Sequence, residues 1–152
     1  MELEKLINDD IKQTMLARDN RKLEALRAIK AALLLEKTGK DLNWNGEIPE
    51  EVELKLLQKL VKMRRESAEL YKAQNRPDLV EEELFQASII EKYLPAQMDE
   101  AEIEATVKSV INQTGAQTMK DMGKVMGIAS KTLAGKADNK TLSEIVKRLL
   151  GS

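Results

Sequence analysis

The chain contains no cysteine and no histidine. Without cysteine it forms no disulfide and offers no thiolate nucleophile. Metal sites built from thiolate or imidazole ligands are excluded as well. Histidine, the general base that enzymes use most often near neutral pH, is also missing. We therefore expect no metal site and no cofactor.

Aromatic residues are scarce, at 3% of the chain, and no apolar run is long. The longest run, residues 31–35, is far shorter than the roughly 20 residues that a membrane-spanning helix needs. The first residues, MELEKLINDD, are acidic and unlike a signal peptide. These observations predict a soluble, cytoplasmic protein with no membrane partner.

Ala, Leu, Glu and Lys dominate the composition, and this mixture favours helix over sheet. Apolar residues recur at spacings of three and four, and no segment shows the alternation of a strand. We predict an all-α fold with two domains. Residues 1–95 form an N-terminal helical domain, and residues 96–152 form a small C-terminal three-helix domain. Leu94–Pro95 marks the boundary, because proline disfavours helix at the residue before it.

The N-terminal domain is predicted to be a helical bundle that contains a long helical hairpin. Its third helix starts at Pro49, and Asn75–Arg76–Pro77 separates it from the fourth helix. A connection this short makes the two helices antiparallel. Trp44 lies in the preceding loop, where two interpretations stay open. It either anchors the loop to the core or contacts a partner.

The net charge of −1 conceals two basic segments. Residues 115–152 hold seven basic and three acidic side chains, a net charge of +4. Residues 55–76 hold seven basic and two acidic side chains, a net charge of +5. Basic faces on a nearly neutral protein can attract a polyanion, so both segments are candidate RNA surfaces. Tyr71 is the one aromatic residue of the second segment, so base stacking contributes little there.

Residues 115–140 of the C-terminal basic segment also hold four of the seven glycines. A glycine inside a helix costs about 1 kcal/mol relative to alanine, so Gly123 and Gly127, four residues apart, require an explanation. They pack closely against a neighbouring helix or let an RNA backbone approach, and the two interpretations are not exclusive. The lysines of this segment are either phosphate ligands or an ordinary solvated face. The candidate RNA-binding residues are Lys120, Gly123, Lys124, Gly127, Lys131, Gly135, Lys136 and Lys140.

Three C-terminal segments carry a resemblance to a known family: MKDMGKVM at residues 119–126, GKAD at residues 135–138 and IVK at residues 145–147. Together with EKYLP, which ends at Pro95, and the helical hairpin before it, they resemble the GatB/YqeY family over the whole chain. The free-standing YqeY-type proteins are the most similar branch. Asn139 stands where glycine is common in the family, and Ser143 stands where asparagine is common.

The resemblance implies a setting in tRNA biochemistry. The C-terminal part is similar to the tail domain of the B subunit of glutamine-dependent aminoacyl-tRNA amidotransferase, and a related tail occurs on some glutaminyl-tRNA synthetases. In those proteins the tail contacts tRNA and the chemistry takes place elsewhere. The family's association with carbon–nitrogen ligase activity therefore belongs to the full-length subunit. Among the candidate lysines, Lys124 and Lys136 match the family motif, whereas Lys131 and Lys140 depend on charge alone.

Intrinsic catalysis is not favoured. The six serines are scattered outside any Gly/Ser-rich run, and there is no GxxxxGK[ST] phosphate loop. The leading prediction is a non-catalytic, tRNA-associated binding module. Two alternatives stay open. One is an accessory subunit of a carbon–nitrogen ligase with glutamine as amido donor, which binds amidotransferase or aminoacyl-tRNA synthetase subunits in place of RNA. The other is a helical adaptor that uses the long hairpin as its partner surface.

Overall fold

A computed structural model describes residues 2–39 and 48–151 of the chain. Within these ranges there are seven α-helices and no strand, which confirms the predicted all-α fold. The helices are α1 Glu2–Leu16, α2 Asn20–Lys37, α3 Glu50–Ala73, α4 Pro77–Glu91, α5 Glu100–Thr114, α6 Met122–Thr132 and α7 Asn139–Gly151, with a 3-10 turn at Met119–Asp121. No helix of the described ranges is both long and apolar enough to cross a bilayer. Trp44 and its two interpretations lie outside these ranges.

The chain divides into two compact units, Met1–Leu94 and Pro95–Ser152. Each unit buries an apolar core of its own. The N-terminal core contains Ile7, Ala25, Leu26, Ile29, Leu33, Ile48, Leu57, Val61, Ala87, Ile89 and Ile90. The C-terminal core contains Ile103, Val107, Val110, Ala116, Val125, Ala129, Leu133, Ala137, Leu142, Ile145, Val146 and Leu150.

The N-terminal unit is built on the hairpin of α3 and α4. With 24 residues, α3 is about 36 Å long. Pro77 occupies the first turn of α4, where a missing backbone N–H leaves no hydrogen bond unmade. Asn75 turns the chain with a φ of 58°, a left-handed conformation that asparagine tolerates better than most residues. The helices α1 and α2 pair with each other, and α2 packs on both helices of the hairpin.

Polar contacts fasten α1 and α2 to the hairpin. The Tyr93 hydroxyl, just beyond α4, donates a hydrogen bond to Asp10 Oδ2 on α1. The pKa of Tyr93 is raised above its ordinary value, mainly by burial of the side chain and to a smaller extent by this hydrogen bond. Arg21 on α2 donates to Glu81 at 2.8 Å and lies 4.1 Å from the centroid of the Phe85 ring.

The helix ends of the C-terminal unit are set by local capping. At the start of α5, Asp99 Oδ1 accepts a hydrogen bond from Glu102 N at 2.8 Å. Gly115 ends the helix with a φ of 71°, which a Cβ atom would strain. Thr118 and Asp121 form a capping box around the 3-10 turn that leads into α6. Asp99 and Gly115 thus set the two ends of α5, and the capping box precedes the start of α6.

Candidate nucleic-acid interface

The helix α6 has one buried face and one exposed face. Val125 and Ala129 are fully buried, and Met122 and Met126 pack beside them. The opposite face continues from the 3-10 turn along the helix at spacings of three and four residues, and all its members are exposed. We call this set the glycine–lysine face: Lys120, Gly123, Lys124, Gly127, Ile128 and Lys131.

The two glycines leave the middle of the glycine–lysine face bare. A Cβ atom built on Gly123 or on Gly127 meets no heavy atom within 4 Å among the described residues. Within the C-terminal unit, the interpretation that they let α6 pack closely on a neighbouring helix is therefore wrong. From Gly123 to Gly127, about 6 Å along the helix, backbone is open to an approaching molecule.

The candidate lysines are exposed and unpaired. None of the five forms an ion pair with any residue in the described part of the chain. They are Lys120, Lys124, Lys131, Lys136 and Lys140. By contrast, Glu104 holds both Lys108 and Arg148, at 3.3 and 3.0 Å. An ammonium group that forms no ion pair can bind an external anion without first leaving a carboxylate.

One carboxylate stands at the beginning of the glycine–lysine face. Asp121 Oδ2 accepts hydrogen bonds from the backbone N–H groups of Gln117 at 3.0 Å and Thr118 at 3.3 Å. These bonds, with a smaller contribution from the charge of Lys124, hold the pKa of Asp121 below its ordinary value. That oxygen is thus committed to the capping box, and the three lysines leave the face with a net positive charge.

The structure brings five of the eight candidates together on the glycine–lysine face and places three elsewhere. Gly135 is buried in the turn after α6, with a φ of 76° and its carbonyl accepting Gln97 Nε2 at 2.6 Å. Lys136 follows it, and its carbonyl accepts Met98 N at 3.0 Å. Lys140 lies in the first turn of α7. Gly135 therefore shapes the turn, while Lys136 and Lys140 present exposed charges after it.

Ile128 is a member of the face that the sequence analysis did not select. It is 39% exposed, one residue beyond Gly127. A signal for it exists in the sequence, because Ile128 falls outside the apolar stripe formed by Val125, Ala129 and Leu133. An isoleucine on the polar side of an amphipathic helix does not pack in the core and offers apolar surface to a partner.

The second basic segment, residues 55–76, is a weaker candidate surface. Three of its cations form ion pairs inside the N-terminal unit: Lys55 with Glu51, Arg65 with Glu91 and Arg76 with Asp78. A paired cation must give up its carboxylate to bind a phosphate, which for exposed pairs such as these costs up to about 1 kcal/mol. Three of the five excess charges counted along the segment are thus offset by residues outside it.

Several proteins named Altered inheritance of mitochondria protein 41, mitochondrial, are similar to this chain. The protein from Pyrenophora tritici-repentis is 28% identical over 148 residues, which cover 94% of this chain and 78% of that protein. The protein from Saccharomyces cerevisiae strain YJM789 is 28% identical over 141 residues, covering 90% and 71%. The protein from Clavispora lusitaniae is 34% identical over 111 residues, covering 70% and 61%.

These names contradict the cytoplasmic location that the sequence analysis predicted, because they describe mitochondrial proteins. That prediction is wrong. Its basis was composition, hydropathy and the character of the first residues. Organelle addresses are read by receptors from short targeting segments, and the balance of charge and hydropathy that builds a helical core carries no such address.

The model of the family described as Yqey-like protein matches residues 4–150. The match spans nearly the whole chain, from α1 to the last turn of α7. It includes the segments MKDMGKVM and GKAD, on which the resemblance to the YqeY-type proteins depends. That part of the resemblance is confirmed, and the chain belongs to the YqeY-like protein family.

Proposed function

We propose that this chain is a non-catalytic RNA-binding module that binds tRNA through the glycine–lysine face of its C-terminal unit. The observation that carries the proposal is the bare backbone between Gly123 and Gly127, flanked by unpaired lysines. A glycine in a helix interior, as Gly127 is in α6, costs about 1 kcal/mol relative to alanine, and Gly123 in the first turn adds to that cost. Neither glycine has a packing role that offsets this cost, and a molecule outside the chain that uses the open space would account for both.

The arrangement suits a sugar–phosphate backbone. Lys124 and Lys131 lie seven residues apart, about 10 Å along α6, and Gly127 lies between them. A lysine ammonium binds phosphate as a point charge. The missing side chains allow a strand to reach van der Waals contact with the helix. Phosphate contacts of this kind position a nucleic acid without reading its sequence.

The resemblance to the amidotransferase tail supports tRNA as the RNA. The segments MKDMGKVM and GKAD are similar to that tail, which contacts tRNA and leaves the chemistry to other parts of its protein. Lys124 and Lys136 are the lysines that match the family motif, so they are the first positions to test. A tail-like role for residues 96–152 is part of this proposal, as is the absence of catalysis by the chain itself.

The test is a titration of the purified chain against bulk tRNA at low and at moderate salt. Lys124→Ala combined with Lys136→Ala should weaken binding by a similar factor for all tRNA species. It should also reduce the slope of log affinity against log salt by about one unit per lost phosphate contact. Because Lys136 lies outside the glycine–lysine face, the single variant Lys124→Ala tests the face itself. Unchanged affinity and slope in both the single and the double variant would overturn the assigned surface.

Lys108→Ala is the matched control for Lys124→Ala. It removes the same charge from the same unit, but Lys108 is exposed on α5 and already paired with Glu104 at 3.3 Å. The comparison is made at the moderate salt concentration, where the Debye length is about 8–10 Å, so the loss of a charge that does not contact the RNA changes binding little. An equal loss of affinity in both variants would show that total charge, and not the glycine–lysine face, governs binding.

A helical adaptor is the second candidate, because the hairpin exposes large apolar side chains. Met63 and Leu70 are 50% and 64% exposed and lie seven residues apart on one side of α3. Leu84 on α4 is 47% exposed. Exposed apolar strips mark protein interaction sites. The test is whether amidase-type subunits co-purify with the wild-type chain and with Leu70→Glu. Loss of co-purification in Leu70→Glu, with tRNA binding unchanged, would favour the adaptor function in the form of an accessory subunit.

A further inference from the structure

We propose that the glycine–lysine face recognises the double-helical part of an RNA and not its single strands. The inference rests on the proposed function and adds to it the class of RNA structure that is bound. It follows from the side chains that the C-terminal unit has for contacts with bases and for contacts with the sugar–phosphate backbone.

The C-terminal unit has no aromatic ring on which a base can stack. Residues 95–152 contain no Phe, Tyr, Trp or His. Proteins that recognise single-stranded RNA stack the unpaired bases on such rings or on arginine planes. A single strand on this unit therefore keeps only its phosphate contacts.

The arginine of the unit does not supply the missing plane. Arg148 is the one arginine of residues 95–152, and its Nη2 lies 3.0 Å from Glu104 Oε2. This hydrogen bond is the main cause that holds the pKa of Glu104 below its ordinary value. The cations of the glycine–lysine face are all lysines, whose ammonium groups have neither a flat surface nor a fixed fork for a base edge.

The cleft along α5 and α7 does not suit an extruded base. A cleft of about 400 Å³ lies along α5 and α7, and Glu100 and Glu144 line it together with Thr141, Ile145 and Arg148. A nucleotide inserted there would bring its phosphate close to two carboxylates. Base extrusion is therefore disfavoured at this cleft, and the exposed glycine–lysine face is better suited to the outer surface of an RNA helix.

The shape of the glycine–lysine face suits the minor groove of an RNA helix. That groove is wide and shallow, displays 2′-hydroxyl groups and is bordered by phosphates on both strands. The bare backbone at Gly123 and Gly127 can approach its floor, while Lys124 and Lys131 reach towards the phosphates. Ile128 offers apolar surface to the riboses between them.

The experiment compares three RNAs with the full chain at low salt by fluorescence anisotropy. They are bulk tRNA, blunt duplexes of about 20 base pairs in two unrelated sequences, and an unstructured single strand with as many phosphates as a duplex. The two duplexes should bind with the same affinity within experimental error. The single strand should bind about tenfold more weakly, because its charge density is lower and no ring stacks on its bases.

The outcomes separate this inference from the proposed function. Binding of tRNA and both duplexes, with weak binding of the strand, supports both proposals. Binding of tRNA without duplex binding, or a strand that binds as tightly as the duplexes, overturns the inference and leaves the proposed function standing. If none of the three RNAs binds at low salt, both proposals are wrong.

Discussion

Alanine at Gly123 and Gly127 should stabilise the protein and at the same time weaken its binding to RNA. Neither position has a positive φ, and a Cβ atom at either one meets no heavy atom within 4 Å among the described residues. The folded chain therefore accepts both methyl groups without strain. Each replacement gains about 0.5–1 kcal/mol of helix stability, because the alanine backbone loses less entropy on folding. The double variant should thus gain about 1–2 kcal/mol in free energy of unfolding.

The same methyl groups fill the space that a phosphate backbone is proposed to enter. They leave the charge of the chain unchanged, so general electrostatic attraction is the same in both proteins. Loss of the closest contacts should weaken tRNA binding about tenfold, which corresponds to about 1.4 kcal/mol. The slope of affinity against salt should stay close to that of the wild type, because the lysines remain.

Gly115→Ala is the matched control for the stability measurement. The chemical change is identical, but Gly115 has a φ of 71°, so alanine there should cost about 1–2 kcal/mol. Urea unfolding of both variants measures the two effects with opposite signs, and fluorescence anisotropy measures tRNA binding. A loss of stability in the double variant would refute the open face. A gain of stability with unchanged tRNA affinity would refute close approach of RNA to α6.

Three further predictions concern the stability of the two units. Tyr93→Phe removes the hydrogen bond to Asp10 and should lower the free energy of unfolding by about 1–2 kcal/mol, as chemical denaturation can measure. Folding raises the pKa of Tyr93, so the tyrosine contributes to the free energy of unfolding below about pH 10, and this contribution is lost as the pH rises further. The stability of Tyr93→Phe should therefore fall less steeply than that of the wild type at alkaline pH. The capping box lowers the pKa of Asp121, so the carboxylate contributes to the stability of the folded chain above about pH 4, and this contribution is lost as the pH falls further. Unfolding of Asp121→Asn should therefore depend less on pH in that acidic range, and an unaltered dependence would argue against the capping role. Leu142 is 1% exposed in the C-terminal core, so Leu142→Ala should lower the free energy of unfolding by about 2–5 kcal/mol in the same assay. A loss below about 1 kcal/mol would contradict its burial.

The helices and their ends could be read from the sequence because the signals that set them are local. Pro77 in the first turn of α4 and the Asp99 cap of α5 act within one helical turn of the residues that they organise. The apolar stripe of α6 likewise follows from the 3.6-residue period. Features of this kind need no knowledge of what packs against the helix, so the all-α fold and the hairpin were predictable.

The candidate site was only partly predictable, because the exposure of each of its residues depends on what packs against α6. The sequence places Gly123 and Gly127 on the side of α6 away from the apolar stripe, but it cannot say whether another helix covers that side. The tertiary structure leaves them open. Ile128 was passed over for the same reason, because exposure is a property of the packed unit and not of the helix alone.

The two basic segments illustrate the difference between a local and a tertiary property. By charge alone, residues 55–76 are as promising as residues 115–152. In the folded N-terminal unit, Arg65 meets Glu91 at 2.6 Å, a carboxylate from the other helix of the hairpin. The lysines of the glycine–lysine face form no ion pair within 4 Å among the described residues, although the charge of Lys124 acts weakly on Asp121. The sequence by itself determined the helices, their caps and the supply of positive charge. Only the tertiary structure decided which charges stay unpaired, because pairing depends on side chains that folding brings together from distant positions.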